Sequence, residues 1–130
     1  MTPALAGAEY CYLTTTGRRS GRPHRIEIWF AAAAGGRDAI YLLAGGRERT
    51  DWVGNLRVHP AVRVEILDRS FAGTARVIEG MPDESAARRL VYEKYRTRDQ
   101  LEEWRDAALP VAIDLVEERT TPVAPRRGRR

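Results

Sequence analysis

Two segments of alternating polarity, Ala8 to Thr15 and His24 to Phe30, are joined through Thr14-Thr15-Thr16-Gly17-Arg18-Arg19-Ser20-Gly21-Arg22-Pro23. No other stretch constrains the fold as strongly. Alternation with a period of two marks a strand with one buried face, and a short glycine-bearing link turns such a strand back on its neighbour. In His24 to Phe30, Ile26, Ile28 and Phe30 share one face while Arg25, Glu27 and Trp29 share the other. Further strands are expected at Ile40 to Ala44, Val62 to Ile66, Phe71 to Ile78 (after a turn at Asp68-Arg69-Ser70) and Val111 to Val116. Thr50 or Asp51 caps a short helix through Trp52, Asn55 and Leu56, ending before Pro60. A longer helix starts near Pro82, carries Ala87, Leu90, Val91, Leu101 and Trp104 on its apolar positions, and breaks near Thr97 to Asp99. Six strands and two inserted helices predict a mainly β (α+β) fold, a small six-stranded antiparallel barrel. Closure removes exposed sheet edges.

Composition narrows the function. At 130 residues and 43% hydrophobic content the chain suits one domain with a real core. No run approaches the roughly 18 apolar residues of a membrane span, and no basic-then-apolar leader opens the chain, so a cytoplasmic protein is expected. One Cys and two His do not make a structural zinc site, so no metal is expected. Cys11 reads as a small buried hydrophobe. The net charge of +4 suggests a polyanion partner, but four of the 22 basic residues are Arg126, Arg127, Arg129 and Arg130. Setting these aside leaves 18 basic against 18 acidic residues, a neutral folded part with no specific nucleic-acid surface. Residues 1–119 are expected to form the domain and 120–130 a disordered basic tail.

Several residues are suited to holding a ligand. In the first loop, Arg18 and Arg19 offer planar donor forks, Ser20 a hydroxyl, and Gly17 and Gly21 a backbone free to approach an anion. The bland alternative is a basic turn left in solvent. The strand face of Arg25, Glu27 and Trp29 is either solvent, with a weak Arg25–Glu27 ion pair, or covered by a ligand or a second subunit, and an exposed Trp favours cover. Ala44-Gly45-Gly46-Arg47 lies between a strand and a helix, where glycine amides can meet a flat ring or phosphate and Arg47 an acidic group. Trp52 reads as core. Tyr92 and Tyr95, at i and i+3, are either packing residues or a substrate-facing wall. No nucleophile motif, acid–base carboxylate pair or phosphate-binding glycine loop occurs, so no catalytic side chain is assigned. Redox chemistry would then fall to a cofactor.

Leu13 to Pro23, the strand end Ile28-Trp29-Phe30, the Ala44–Arg47 loop and Asp51-Trp52-Val53-Gly54-Asn55-Leu56-Arg57-Val58-His59-Pro60 together resemble the deazaflavin-dependent nitroreductase family. That resemblance covers roughly residues 8 to 117. It implies a split β-barrel that binds coenzyme F420 (8-hydroxy-5-deazaflavin) and passes hydride to a quinone, enone or nitroaromatic. It implies that Arg18, Arg19, Ser20 and Gly21 lie near the coenzyme's phosphate and glutamyl tail, and that Ala44, Gly45, Gly46 and Arg47 lie beside its ring, with Trp52 and Asn55 in the same site. Trp29, Tyr92 and Tyr95 would face the substrate. The chain departs from the family pattern at Glu27, where proline is common, and at Arg98, where a third tyrosine would fall. Flavin mononucleotide in the same barrel, or a non-catalytic carrier of a hydrophobic molecule, remain alternatives, and a homodimer is expected of so small a barrel.

Overall fold

The hairpin forms across the expected link: β1 (Cys11–Thr16) pairs antiparallel with β2 (Pro23–Ile28), Cys11 opposite Ile28 and Thr16 opposite Pro23. The computed structural model describes residues 1–97 and 101–118. β3 (Ala31–Ala32), β4 (Ala39–Ala44), β5 (Ala61–Ile66), β6 (Arg69–Val77) and β7 (Leu109–Glu117) complete one seven-stranded sheet in the order β2-β1-β5-β6-β7-β4-β3. Every pairing is antiparallel. The two outermost strands, β2 and β3, are separated in the chain by only Trp29 and Phe30. Ile28 and Ala31 therefore lie within about 11 Å of each other, the reach of an extended link at ~3.6 Å per residue. The sheet has to curl until its edges nearly meet, which is a barrel left split at one seam.

The seventh strand is a correction to the expected six, and its cause is local. The segment expected to run from His24 to Phe30 leaves the strand after Ile28, because Phe30 turns fully into the core and the chain re-pairs at Ala31 with Tyr41 of β4. β1 starts at Cys11 rather than Ala8. Ahead of it, a short α1 (Pro3–Ala6) is capped by Thr2, whose Oγ1 accepts from Leu5 N at 3.3 Å. The Asp68-Arg69-Ser70 turn falls earlier: Leu67 takes φ 55° and β6 begins at Arg69. α2 (Asp51–Val58) ends before Pro60 as expected. The long helix is two, α3 (Glu84–Tyr95) and α4 (Glu102–Ala107). The expected break reaches Asp99, which, like the tail from residue 119 on, lies outside the described residues.

β4 explains its own unbroken apolar run. Ile40 and Leu42 fill the barrel with Leu13, Val64, Ile66 and Ile113, while Tyr41 and Leu43 meet a second cluster of Ile78, Ala87, Val91 and Tyr95 under α3. Both faces are covered, so neither is polar. Inside the barrel, Gly73 brings β6 so close to its neighbours that a Cβ there would lie 2.6 Å from Ile113 Cγ2 and 3.1 Å from Val62 Cγ2. Both contacts are β-branched core side chains with little freedom to move. Gly73→Ala is therefore expected to destabilise the fold by about 1–3 kcal/mol. Denaturant unfolding should show a lower midpoint, and an unchanged midpoint would contradict this packing.

Candidate functional site

The hairpin loop is shaped from within and then pinned from outside. Gly17 N donates to Arg22 O at 2.8 Å, Gly21 N to Gly17 O at 2.9 Å, and Arg22 N to Ser20 Oγ at 3.1 Å. Gly21 sits at φ +71°, a conformation that favours glycine. Asn55 of α2 then anchors the loop. Its Oδ1 accepts from Arg18 N at 3.0 Å and from Arg18 Nη1 at 2.8 Å, and its Nδ2 donates to Thr15 Oγ1 at 3.1 Å. Arg18 also donates to Asp51 O and Asp51 Oδ1, each at 3.3 Å, and lies so flat on α2 that a Cβ at Gly54 would fall 3.0 Å from its guanidinium carbon. Arg19 makes no hydrogen bond or ion pair among the described residues. With Gly17, Arg18, Ser20, His24, Asp51 and Asn55 it lines a cavity of about 240 Å³.

At the other end of β2 the surface is apolar. Glu27, Ile28, Trp29, Leu43, Leu101 and Trp104 line a groove of about 490 Å³. Trp29 stacks on Tyr95 at 4.3 Å between ring centres and meets Trp104 edge-on at 6.0 Å. α3 and α4 of the same chain thus cover part of its ring, and the rest borders the groove. Gly45 borders the same wall: a Cβ there would touch Trp104 Cδ1 at 3.4 Å.

Some expected site residues are placed elsewhere. Tyr95 is 2% exposed, and its hydroxyl donates to Glu9 O at 2.6 Å and accepts from Phe30 N at 3.1 Å. It backs Trp29 rather than facing the groove. Tyr92 turns instead toward α4, its hydroxyl on Glu102 Oε2 at 3.0 Å and the Arg105 guanidinium 4.6 Å over its ring. It borders a separate cavity of about 700 Å³ with Met81, Arg88, Arg89 and Arg96. The two tyrosines therefore share no wall. Ala44 closes β4 and is buried, while Gly45 and Gly46 are exposed. Arg47 takes φ 54° and grips Glu79 Oε1 and Oε2 at 2.7 Å each, so its guanidinium is paired within the protein. Trp52 packs against the core. Sequence patterning misses Leu43, Leu101, Trp104 and His24 as cavity-lining residues. Helical spacing marks Trp104 for burial but says nothing of the groove that it walls.

A family model described as F420H(2)-dependent quinone reductase matches residues 2–116. The chain belongs to that family. Among solved structures it is similar to an F420-H2 dependent reductase at 24% identity and TM-score 0.65, covering 82% of this chain and 93% of that one. It is similar also to an F420 reductase (18%, TM-score 0.64, 87% and 91%) and to a domain-swapped dimer (25%, TM-score 0.64, 82% and 79%). This F420H(2)-dependent quinone reductase family member is an F420-dependent oxidoreductase, and its cofactor is coenzyme F420.

The residues present fit that coenzyme. A flat ring needs an apolar slot, which Trp29, Trp104 and Leu43 wall. An anionic tail needs uncommitted donors, which Arg19 and His24, both lining the hairpin cavity, would offer. About 13 Å of strand, at ~3.3 Å per residue, separates His24 from Ile28 and so spaces the two ends. Among the described residues no helix is long and apolar enough to cross a membrane, and no group of three or more potential metal ligands occurs.

Behind the groove lies Lys94, the chain's only lysine. Its Nζ donates to Phe30 O at 2.9 Å and sits 3.8 Å over the Phe30 ring. Burial pushes Lys94 down to about 8 and the Cys11 thiol up to about 12, so Cys11 is no nucleophile at neutral pH. The signs differ. Unfolded chains keep Lys94 protonated up to 10.5, so stability rises with pH between about 8 and 10.5. Unfolded Cys11 ionises from 9.0 while the folded thiol does not, so stability falls between about 9 and 12. Relative to Lys94→Met, the wild type should therefore gain urea stability between pH 8 and 9, where only Lys94 acts. A parallel pH dependence in the two proteins would refute this. Asn55→Ala should cost about 1–3 kcal/mol, because Thr15 and Arg18 lose a buried partner. Hydrogen exchange at Gly17 to Gly21 should quicken with it, and unaltered protection of those amides would contradict the anchoring.

Proposed function

We propose that the groove beside Trp29 receives the deazaflavin ring and the electron acceptor, and that the hairpin receives the coenzyme's anionic tail. The observation that carries this reading is the polarity of β2: an aromatic slot at its Ile28 end and an uncommitted cation at its His24 end. When bound, reduced F420 supplies a hydride from its ring carbon. The protein's own work is binding and orientation. Arg19 and His24 offer donors to phosphate and carboxylate oxygens, and Arg18, held by Asn55 and Asp51, keeps the loop in register with α2. Gly45, packed beside Trp104 and followed by Gly46, borders the ring slot, and Trp29 and Trp104 exclude water from one side of it. Such a slot suits a flat electrophile, a quinone before an enone or nitroaromatic. The absence of a nucleophile or acid–base pair among the candidate residues accords with hydride transfer from a cofactor.

We further read the chain as a cytoplasmic homodimer. The unpaired thiol Cys11 accords with a reducing compartment. Support for the dimer is that one similar structure is described as a domain-swapped dimer and that β2 is an edge strand, open to pairing.

Titrating the protein with F420 and following the coenzyme's fluorescence should give saturable binding in the micromolar range or tighter. Arg19→Ala should weaken it by about 1.5–3 kcal/mol, roughly ten- to hundredfold, with little loss of fold stability. Added salt should weaken the wild type more than the variant. Unchanged affinity in Arg19→Ala would remove the hairpin from the site.

A further inference from the structure

Glu79 lies outside every residue assigned to the site so far, yet it links α4, which bears one groove wall, to the Gly45–Arg47 loop beside it. On one side it holds Arg47, which follows the exposed Gly45-Gly46 pair and adopts φ 54°. A non-glycine residue there is strained unless its surroundings hold it. Thr50 Oγ1 donates to Arg47 O at 2.7 Å, and Arg47 Nη1 donates to Ala107 O at 2.8 Å. On the other side, Arg88 lies 3.9 Å from Glu79 and 2.8 Å from Glu84. Its Nη1 donates at 2.7 Å to both Arg105 O and Ala108 O. Two guanidiniums thus take three carbonyls at the C-terminal end of α4, and one carboxylate tethers both.

α4 has need of this. It has six residues, none of them buried. An isolated helix of that length does not hold its shape in water, so its position must come from tertiary contacts. Carbonyls at a helix end attract cations, and each guanidinium here is oriented by a carboxylate. α4 carries Trp104, and Leu101 just precedes it; both line the groove.

We propose that Glu79, with Arg47 and Arg88, is a positioning clasp that fixes α4 and the Gly45–Arg47 loop in one geometry, so that Trp104 stands ready as the groove wall before the acceptor arrives. The clasp rests on the proposed use of that groove, and the test separates the two. With 5-fluorotryptophan incorporated at Trp29, Trp52 and Trp104, fluorine resonances report each indole. In Glu79→Gln the Trp104 signal should shift or broaden while that of Trp52 stays. Steady-state reduction of menadione by reduced F420 should show KM for the quinone raised about fivefold or more with kcat within twofold, and Glu79→Asp should recover part of the loss. Glu48→Gln, which removes another partner of Arg47 that does not reach α4, should leave both readouts near wild type. An unmoved Trp104 resonance in both Glu79→Gln and Arg88→Gln would overturn the clasp. A displaced resonance with unaltered KM would uphold the clasp and overturn the assignment of the acceptor to this groove.

Discussion

The buried amide of Asn55 is the contact on which the site's layout depends. It is 2% exposed and has donor and acceptor both satisfied, one by β1 and one by the hairpin that follows it. Hydrogen bonds in such a low-dielectric position are strong, and leaving a partner unmet is costly. The arrangement therefore has a single register. With Arg18 drawn back onto α2, the loop's next residue, Arg19, is turned outward without a partner. One arginine of the pair builds the site, and its neighbour is left to serve it.

Partnering, more than charge, is what singles out the proposed anion site. Most arginines on the described surface are engaged: Arg25 with Glu65, Arg63 with Glu118, Arg76 with Asp83 and Asp114, Arg47 and Arg88 with the carboxylates and carbonyls around α4. Exposed pairs of this kind add little stability singly. They do neutralise the surface, and the side chains of Arg19 and Arg22 on the hairpin are among those left without a hydrogen bond or ion pair among the described residues. Both lie on the loop that leads into β2 at Pro23. The apolar end is built by separate means, from indoles stacked on a buried tyrosine.

Much of the barrel was legible because period-two alternation survives wherever one face of a strand is buried. It held even at Phe30, which joins Ile26 and Ile28 in the barrel while Trp29 lies on the other side under α3. What it missed is that strand pairing stops at Ile28, where the chain leaves β2 to cross the seam. The hairpin and the Asp51 to Pro60 helix could be picked out by their residues, but not the contact between them. A buried Asn55 looks identical in sequence to a ligand-binding one. Arg47 was illegible for the same reason: its partner Glu79 lies on a distant segment. Tyr92 and Tyr95 share an i, i+3 spacing that brings side chains near each other only if nothing draws one inward. Here the carbonyl of Glu9 and the amide of Phe30 draw Tyr95 in.

The central claim is that a ligand runs along β2 with its ring at Trp29 and its charge at Arg19. A crystal structure of the protein with F420 measures this directly. The ring should lie against Trp29 or Trp104 beside Gly45, and tail oxygens should lie within hydrogen-bonding distance of Arg19. Density for the coenzyme in the cavity between α3 and α4, beside Tyr92 and Arg105, would contradict it.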